Sequence, residues 1–460
     1  MKNEGLKPLQ PKTFLSLRDY GVLINTLILI IGAGFIFYYS QDQFREIKEM
    51  RLNSIFGSIL FYFTMTVLAF KGLFFVFLLY HFFKYKPIES VSDEELPTLT
   101  IIVPAYNEGS FVFDTLKSIS ESDYPKNKIQ LIAIDDGSKD DTWSWMKKSK
   151  AELGDFLSIY QQPENKGKRH ALYRGVNMAT GDVIVTIDSD SLIYGNTLRN
   201  LVSPFVVDEY CGAVAGNVKI QNLKEAIIPK MLNVSFAFSF GFIRAAQGQM
   251  KTVLCTPGAL SAYRRKAVTN CLEDWINQSF LGVKTDIGED RAMTNMIMKQ
   301  GYNTLFQSNA HVCTNIPETY GILRRMFTRW ERSNVRENIM MTKFAFSDFR
   351  EDNKLKPRIL LINQWVSIIT AYPSLIIMLV SLVLYPLLFL SSTIISIAIF
   401  SIIPAVYYGV KYSKRHSLWI FTYNIFYLFT LFWITPYAIL TASRRGWLTR
   451  EPEDVLTAKV

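Results

Sequence analysis

The sequence predicts an α/β domain on a mostly parallel sheet, flanked on both sides by transmembrane α-helices. Apolar residues are concentrated at the two ends of the 460-residue chain. Between them lie roughly 270 polar-to-mixed residues, enough for one sizeable domain with its own core. In that middle, short β-branched runs alternate with stretches of helical patterning, as βαβ units do. The composition agrees. At 49% hydrophobic, 14% aromatic and 20% charged, the chain is more apolar and less charged than an ordinary soluble domain.

Tyr20 to Tyr39 is uncharged, and twenty residues at ~1.5 Å rise cover a ~30 Å hydrocarbon core. It is expected to span rather than to be cleaved as a signal, because its apolar core is long and another apolar run follows. That run, Ile55 to Phe83, is the second span, and its Lys71 is expected to snorkel or to face protein. Ile359 to Val410 fits two further spans, and Leu418 to Leu440 one more. Basic clusters at Lys411, Lys414, Arg415 and at Arg444, Arg445, Arg450 both favour the cytoplasm, which one full span between them forbids. A re-entrant hairpin broken near Pro436, a different division of the long block, or one cluster outside would each remove the conflict. The expected division is 1–90, an N-terminal membrane region with two spans; 91–318, a cytosolic domain; 319–358, basic interfacial helices; and 359–460, a C-terminal membrane region with a cytosolic tail.

Fifty Lys and Arg against 40 Asp and Glu give +10, which suits nucleic acid, an anionic membrane surface or an anionic substrate. Half of that excess lies between Tyr320 and Arg358. There Arg324, Arg325, Arg329, Arg332 and Arg336 read as an amphipathic flank on the membrane surface, a role compatible with substrate contact. Cys211, Cys255, Cys271 and Cys313 show neither CxxC pairs nor zinc-ligand spacing, so a reducing, cytosol-facing environment is expected.

Three apolar runs mark strands: Leu99 to Val103, Ile129 to Ile134 and Val183 to Ile187. Ligands of an open parallel sheet bind at the carboxyl ends of its strands. The segments there are Pro104-Ala105-Tyr106-Asn107-Glu108, Asp135-Asp136-Gly137-Ser138 and Asp188-Ser189-Asp190. Taken singly, each is ordinary turn and cap chemistry. Taken by position, Asp188 and Asp190 can hold Mg²⁺ or Mn²⁺ between the oxygens of a diphosphate. Lys166-Gly167-Lys168-Arg169 supplies cations and flexible backbone for the same group. Gly288-Glu289-Asp290-Arg291 opens a helix-like stretch, Ala292 to Lys299, with carboxylates at its positive end. They are either N-cap residues or, with Asp290 as the choice and Glu289 beside it, a general base.

In order, these segments resemble the family-2 processive membrane glycosyltransferases, most closely hyaluronan synthases and nodulation-type chitin-oligosaccharide synthases. The likeness runs from the first strand to the C-terminus and implies a GT-A-like cytosolic domain. It implies that Pro104, Tyr106, Glu108, Asp136, Lys168, Arg169 and Asp188 contact the donor nucleotide, with metal on Asp190 and Asp188. The segments Cys211 to Val218, Arg244 to Gln247 and Cys255 to Arg264 resemble acceptor-side segments, with Cys255, Gly258, Arg291 and Met326 near the acceptor. Arg329-Trp330 ends a Q-x-x-R-W motif whose Gln is Met326 here. Trp447-Leu448-Thr449-Arg450 is similar to a W-G-T-R element near the nucleotide, with Leu448 replacing Gly. If Trp447, Thr449 and Arg450 do reach the nucleotide, the C-terminus is cytosolic, which favours the re-entrant or extra-span arrangement.

The resemblance implies inverting transfer. Asp290 takes the proton of the acceptor hydroxyl, and metal with Lys168, Arg169 and Arg329 offsets charge on the leaving diphosphate. Trp330 stacks on the acceptor sugar. The expected activity is processive polymerisation of UDP-N-acetylglucosamine, alone as in chitin or poly-N-acetylglucosamine, or alternating with UDP-glucuronate as in hyaluronan. Synthesis is coupled to export across the plasma membrane, and the catalytic domain is cytoplasmic. The expected partners are the UDP-sugar, the growing polysaccharide and the bilayer, not nucleic acid. Two competing readings are a non-processive transferase acting on a lipid carrier and a channel or receptor with a degenerate domain. Intact Asp188, Asp190, Asp290 and Arg329 argue against the second, since a pseudoenzyme is free to lose them.

Overall fold

A computed structural model describes residues 15–444. The chain enters through α1 (Leu17–Tyr39), a short amphipathic α2 (Gln41–Leu52) and α3 (Ile55–Lys84). Ser16 starts α1 with a capping box closed by Asp19, which satisfies otherwise orphaned backbone donors. Helix α2 is an element that the apolar pattern does not mark. Large apolar side chains such as Ile28, Phe56 and Leu73 stand exposed along α1 and α3, a surface suited to lipid and not to water. Lys71 faces protein: its ammonium donates to Asn363 Oδ1 and Ser367 Oγ, both at 2.8 Å.

The domain then alternates β1 (Leu99–Ala105), α4 (Phe111–Ser120), β2 (Ile129–Asp135), α5 (Thr142–Leu153), β3 (Leu157–Gln161), α6 (Lys168–Asn177) and β4 (Val183–Ile187). It continues with β5 (Ser191–Ile193), α7 (Thr197–Val202), α8 (Pro204–Val207), β6 (Cys211–Ile220), α9 (Ile227–Phe238), α10 (Arg244–Gln249) and β7 (Leu260–Arg264). It closes with α11 (Arg265–Thr269), α12 (Leu272–Ile276), the hairpin β8 (Ser279–Phe280) and β9 (Val283–Lys284), α13 (Glu289–Lys299) and β10 (Asn303–Thr314).

Eight of these strands form one sheet in the order β3-β2-β1-β4-β7-β6-β10-β5. The first four are parallel neighbours. Strand β7 runs antiparallel to both β4 and β6, β10 is parallel to β6, and β5 is antiparallel to β10. The expected α/β class with a mostly parallel sheet is therefore observed. Apolar cores cover both faces: Ile101, Val103, Leu116 and Val185 on one side, Ile102, Ile134, Ala171 and Trp275 on the other. This explains why the parallel strands read as continuous apolar runs rather than alternating ones.

Beyond the sheet, α14 (Tyr320–Ala345) leads to α15 (Leu355–Leu384) and α16 (Pro386–Lys411), then to α17 (Trp419–Thr430) and α18 (Ile434–Leu440). Helices α1, α3, α15 and α16 are long and apolar enough to cross a membrane. The long block thus divides into two, as expected. The last segment, expected as one span or a broken hairpin, is a pair bent by 44°. Both of its halves are tied to α14: Tyr320 donates to the Thr430 carbonyl at 2.9 Å, and Arg332 Nε donates to Thr441 Oγ1 at 3.0 Å.

Candidate active site

The carboxyl ends of β1, β2 and β4 are laced together. After β1, Asn107 takes a left-handed conformation (φ 51°), which Asn tolerates. Its amide donates to Ser138 Oγ, and its side-chain oxygen accepts from the Lys139 amide. Glu108 accepts from Ser189 Oγ at 3.1 Å, which joins the first turn to the third. Pro104 is buried inside β1, and Tyr106 is half-buried in the turn that follows.

Asp136 organises the basic loop. Its carboxylate accepts from Gln162 Nε2 at 2.7 Å and from the amides of Lys166 and Gly167 at 3.0 and 2.8 Å. Burial pushes this carboxyl up to about 6, against the pull of those amides. The loop ends in Lys168, whose ammonium contacts Asp188 Oδ1 and lies 3.2 Å from Glu289 Oε1. Despite burial, these neighbouring carboxylates raise the lysine's own proton affinity. A Cβ on Gly258 would come within 2.6 Å of that ammonium, so glycine leaves Lys168 room to bridge the strand end and α13.

Arg169, expected beside Lys168 on the diphosphate, is turned into the core at 2% exposure. It donates to the Trp275 carbonyl at 2.9 Å, to Gln278 Oε1 at 3.2 Å and to Thr285 Oγ1 at 3.0 Å. Consecutive helical residues diverge by ~100°, so only one of the two cations faces the strand ends. Asp190 Oδ1 is reached by the hydroxyls of Thr314 at 3.3 Å and Ser191 at 3.4 Å.

Gly288 precedes α13 at φ 74°, a conformation that favours glycine. The first turn of the helix then presents Glu289 and Asp290, where the helix dipole favours anions. The loop before β7 is fastened to this turn: Thr256 Oγ1 lies 2.8 Å from Thr294 Oγ1, which donates to the Asp290 carbonyl at 2.8 Å. As a result, Cys255 Sγ lies 3.6 Å from Asp290 Oδ2, and the Cys255 carbonyl accepts from Arg244. Burial and the Glu289 charge push the Asp290 carboxyl up, while Lys168 and Arg329 oppose that shift. For Glu289 the same two cations prevail over burial and hold it down. Two adjacent carboxylates thus have proton affinities driven apart, Asp290 upward and Glu289 downward.

Arg291 leaves the site for α14, donating to Asn334 Oδ1 at 2.7 Å and Asn338 Oδ1 at 2.6 Å. Trp330 is 40% exposed, with Phe327 and Phe236 flanking it at ring-centroid distances of 5.6 and 6.2 Å. Met326, expected on the acceptor path, is buried in an apolar cluster with Leu323, Trp419, Ile420 and Ile434. It joins α14 to the bent pair. The arginine-rich flank is likewise not all surface. Arg332 and Arg336 are 3% and 1% exposed, and Arg336 donates to the Ile287 carbonyl just before Gly288. Trp447, Thr449 and Arg450 lie outside the described residues. Sequence reasoning missed Glu331, Asn334 and Asn338, which line one side of α14; their i, i+3, i+7 spacing was the available signal.

Residues 97–333 match the family model described as glycosyltransferase-like family 2, more than half of the chain. An N-acetylglucosaminyltransferase of Rhizobium meliloti is 28% identical over 365 residues, covering 79% of this chain and 83% of the relative. A hyaluronan synthase of Streptococcus pyogenes is 29% identical over 384 residues, covering 80% and 86%. Among solved structures, a mannosyltransferase from Pyrobaculum calidifontis in complex with GDP-Man and Mn²⁺ shares the fold. Its TM-score is 0.53 at 20% identity, over 82% of this chain and 99% of that one. Carboxylates gathered at strand ends of a GT-A-like sheet, and a family match across that whole region, lead to one conclusion: the chain belongs to glycosyltransferase family 2 and is related to hyaluronan synthases and N-acetylglucosaminyltransferases.

Proposed function

We propose that the protein is a membrane-embedded, processive, inverting glycosyltransferase. It polymerises N-acetylglucosamine from the UDP-sugar, alone or with glucuronate, and passes the growing polysaccharide out through its membrane helices. One observation carries this reading: Asp290, the buried carboxylate at the start of α13, is linked through Arg291 to α14, the helix that also holds the bent apolar pair. Transfer chemistry and a route towards the membrane then share one wall. The names of the two curated relatives support the sugar.

Asp290 takes the proton of the attacking hydroxyl. Lys168 holds Asp188 and Glu289 in place and, with Arg329, offsets charge on the departing diphosphate. Trp330 offers an open ring face for the acceptor sugar. Asp188 and Asp190, hard oxygen donors one residue apart at a strand end, are the residues that would hold Mg²⁺ or Mn²⁺. Such an ion, when bound, would neutralise charge on the leaving group.

With the catalytic domain cytoplasmic, four full spans and a re-entrant bent pair bring both Lys411 to Arg415 and Arg444 to the cytoplasmic side of the plasma membrane. The positive-inside preference is then met at both clusters.

Inside-out vesicles containing the purified protein, given labelled UDP-N-acetylglucosamine with Mn²⁺ or Mg²⁺, test the reading. High-mass product at low donor conversion, enclosed in the lumen, is expected. Products that lengthen by one sugar and stay outside would overturn it.

A further inference from the structure

The outer edge of the sheet gathers cations on one face. Lys219 stands in register with Cys313 across β6 and β10. His311, two residues earlier on β10, shares that face, because side chains alternate along a strand. Tyr194, just past β5, meets both cationic side chains. Its ring lies 5.7 Å from the Lys219 ammonium and 6.0 Å from the His311 ring, and its hydroxyl lies 3.0 Å from Cys313 Sγ. A third cation arrives from the membrane side. Lys411, the last residue of α16, reaches the Tyr407 hydroxyl at 3.1 Å and the rings of Tyr407 and Tyr412 at 5.4 and 5.7 Å. Its charge acts on both Lys219 and His311.

Like charges held together in partly buried surroundings oppose one another. Burial lowers the Lys219 ammonium's proton affinity, and burial together with the fields of Lys219 and Lys411 pushes His311 down to about 4. His311 Nδ1 is buried with no hydrogen-bond partner among the described residues. An anion placed between the two ammoniums turns their repulsion into two attractions, and one with several oxygens accepts a charge-assisted hydrogen bond from each. The depth of Lys411 selects the anion. Helix α16 is long and apolar enough to cross a membrane, so its terminal lysine and tyrosines stand at the level of lipid headgroups, where phosphate is the abundant anionic group.

We infer that Lys219, His311 and Lys411 form a binding site for a phosphate group at the membrane-facing edge of the domain, separate from the donor site at the ends of β1, β2 and β4. A lipid headgroup and free phosphate are the two sources of that chemistry. The site is the same whichever sugar is transferred.

The full-length protein in neutral detergent is titrated with dioctanoyl-phosphatidylglycerol, dioctanoyl-phosphatidylcholine and inorganic phosphate, and binding is followed by native mass spectrometry and by melting temperature, which a ligand of the folded chain raises. Phosphatidylglycerol is expected to bind, and phosphatidylcholine, which carries its own cation, to bind more weakly. Lys219→Gln and Lys411→Gln should each weaken binding about tenfold, the loss of one charge-assisted hydrogen bond. Lys414→Gln, which removes an exposed lysine of the same connector, should leave it unchanged. Because Lys219→Gln relieves a repulsion, it should melt no lower than wild type when no anion is present, which separates lost binding from lost folding. Inorganic phosphate binding with the same dependence on Lys219 and Lys411 would support the site and make the free anion its ligand. Phosphatidylglycerol binding that ignores Lys219, or that falls equally in Lys414→Gln, is surface charge alone and overturns the site. Failure of both probes to bind overturns it as well.

Discussion

The ammonium of Lys168 lies 3.2 Å from the Glu289 carboxylate and joins the end of β4 to the start of α13. Lys168→Met leaves Glu289 and Asp188 without that cation. The expected loss is about 2–3 kcal/mol, below the ~3–5 of a fully buried pair, because the Asp188 side chain is 33% exposed. Since Lys168 also holds the Asp290 carboxyl down, the acid limb of the rate profile should move to higher pH. An unchanged melting temperature and an unmoved limb would refute the bridge.

Asp290→Asn keeps the shape and removes the proton acceptor. Transfer should fall by ~10²–10⁴-fold, while UDP affinity measured by calorimetry stays within a few-fold of wild type. In the wild type, the carboxyl is raised by burial and by Glu289. Activity should therefore decline as the pH falls through that raised value, because the base is then protonated. Turnover at the wild-type rate in the variant would assign the proton to another group.

Asp136 has a carboxyl raised to about 6 and accepts two amides of the loop that ends in Lys168. Between pH 7 and 5 it takes up a proton and can no longer accept all of its partners. UDP affinity should weaken across that window in the wild type and change little in Asp136→Asn. The stability effect has the opposite sign. With the folded value above the unfolded one, protonation of this group favours the folded state as pH drops towards 4, so the expected loss is of binding and not of fold.

Gly288→Ala places a Cβ at φ 74° and against Ser333 Oγ. The left-handed conformation alone costs ~1–2 kcal/mol, and the collision moves the first turn of α13. A lower melting temperature together with reduced transfer is expected, and a thermally silent Gly288→Ala would show the turn to be unconstrained.

The strand ends that carry the candidate site were legible because three apolar runs located β1, β2 and β4. The second half of the sheet was not legible. Strand β6 is rich in Gly and Ala because neighbours fill the space beside it: Tyr302 at Gly212 and Leu260 at Gly216. Such a strand lacks the β-branched signature. Strand β7 inserts between β4 and β6 from far along the chain, a pairing that local pattern does not encode. The arginines misled for a related reason. Arg332 and Arg336 read as membrane-surface charge and Arg169 as a diphosphate contact, yet all three find acceptors on Thr441, the Ile287 carbonyl and Gln278, partners remote in sequence that only the folded chain brings near.

Helix α14 is pinned at Tyr320 by Thr430 and at Arg332 by Thr441, and Trp330 lies between those two fastenings. Twelve residues of helix span about 18 Å, with no break between them. The tryptophan therefore behaves as a post set in a fixed frame. A sugar chain growing past it would slide along a helix tied at both ends, so the length of one sugar, and not the stroke of a helix, would set each advance.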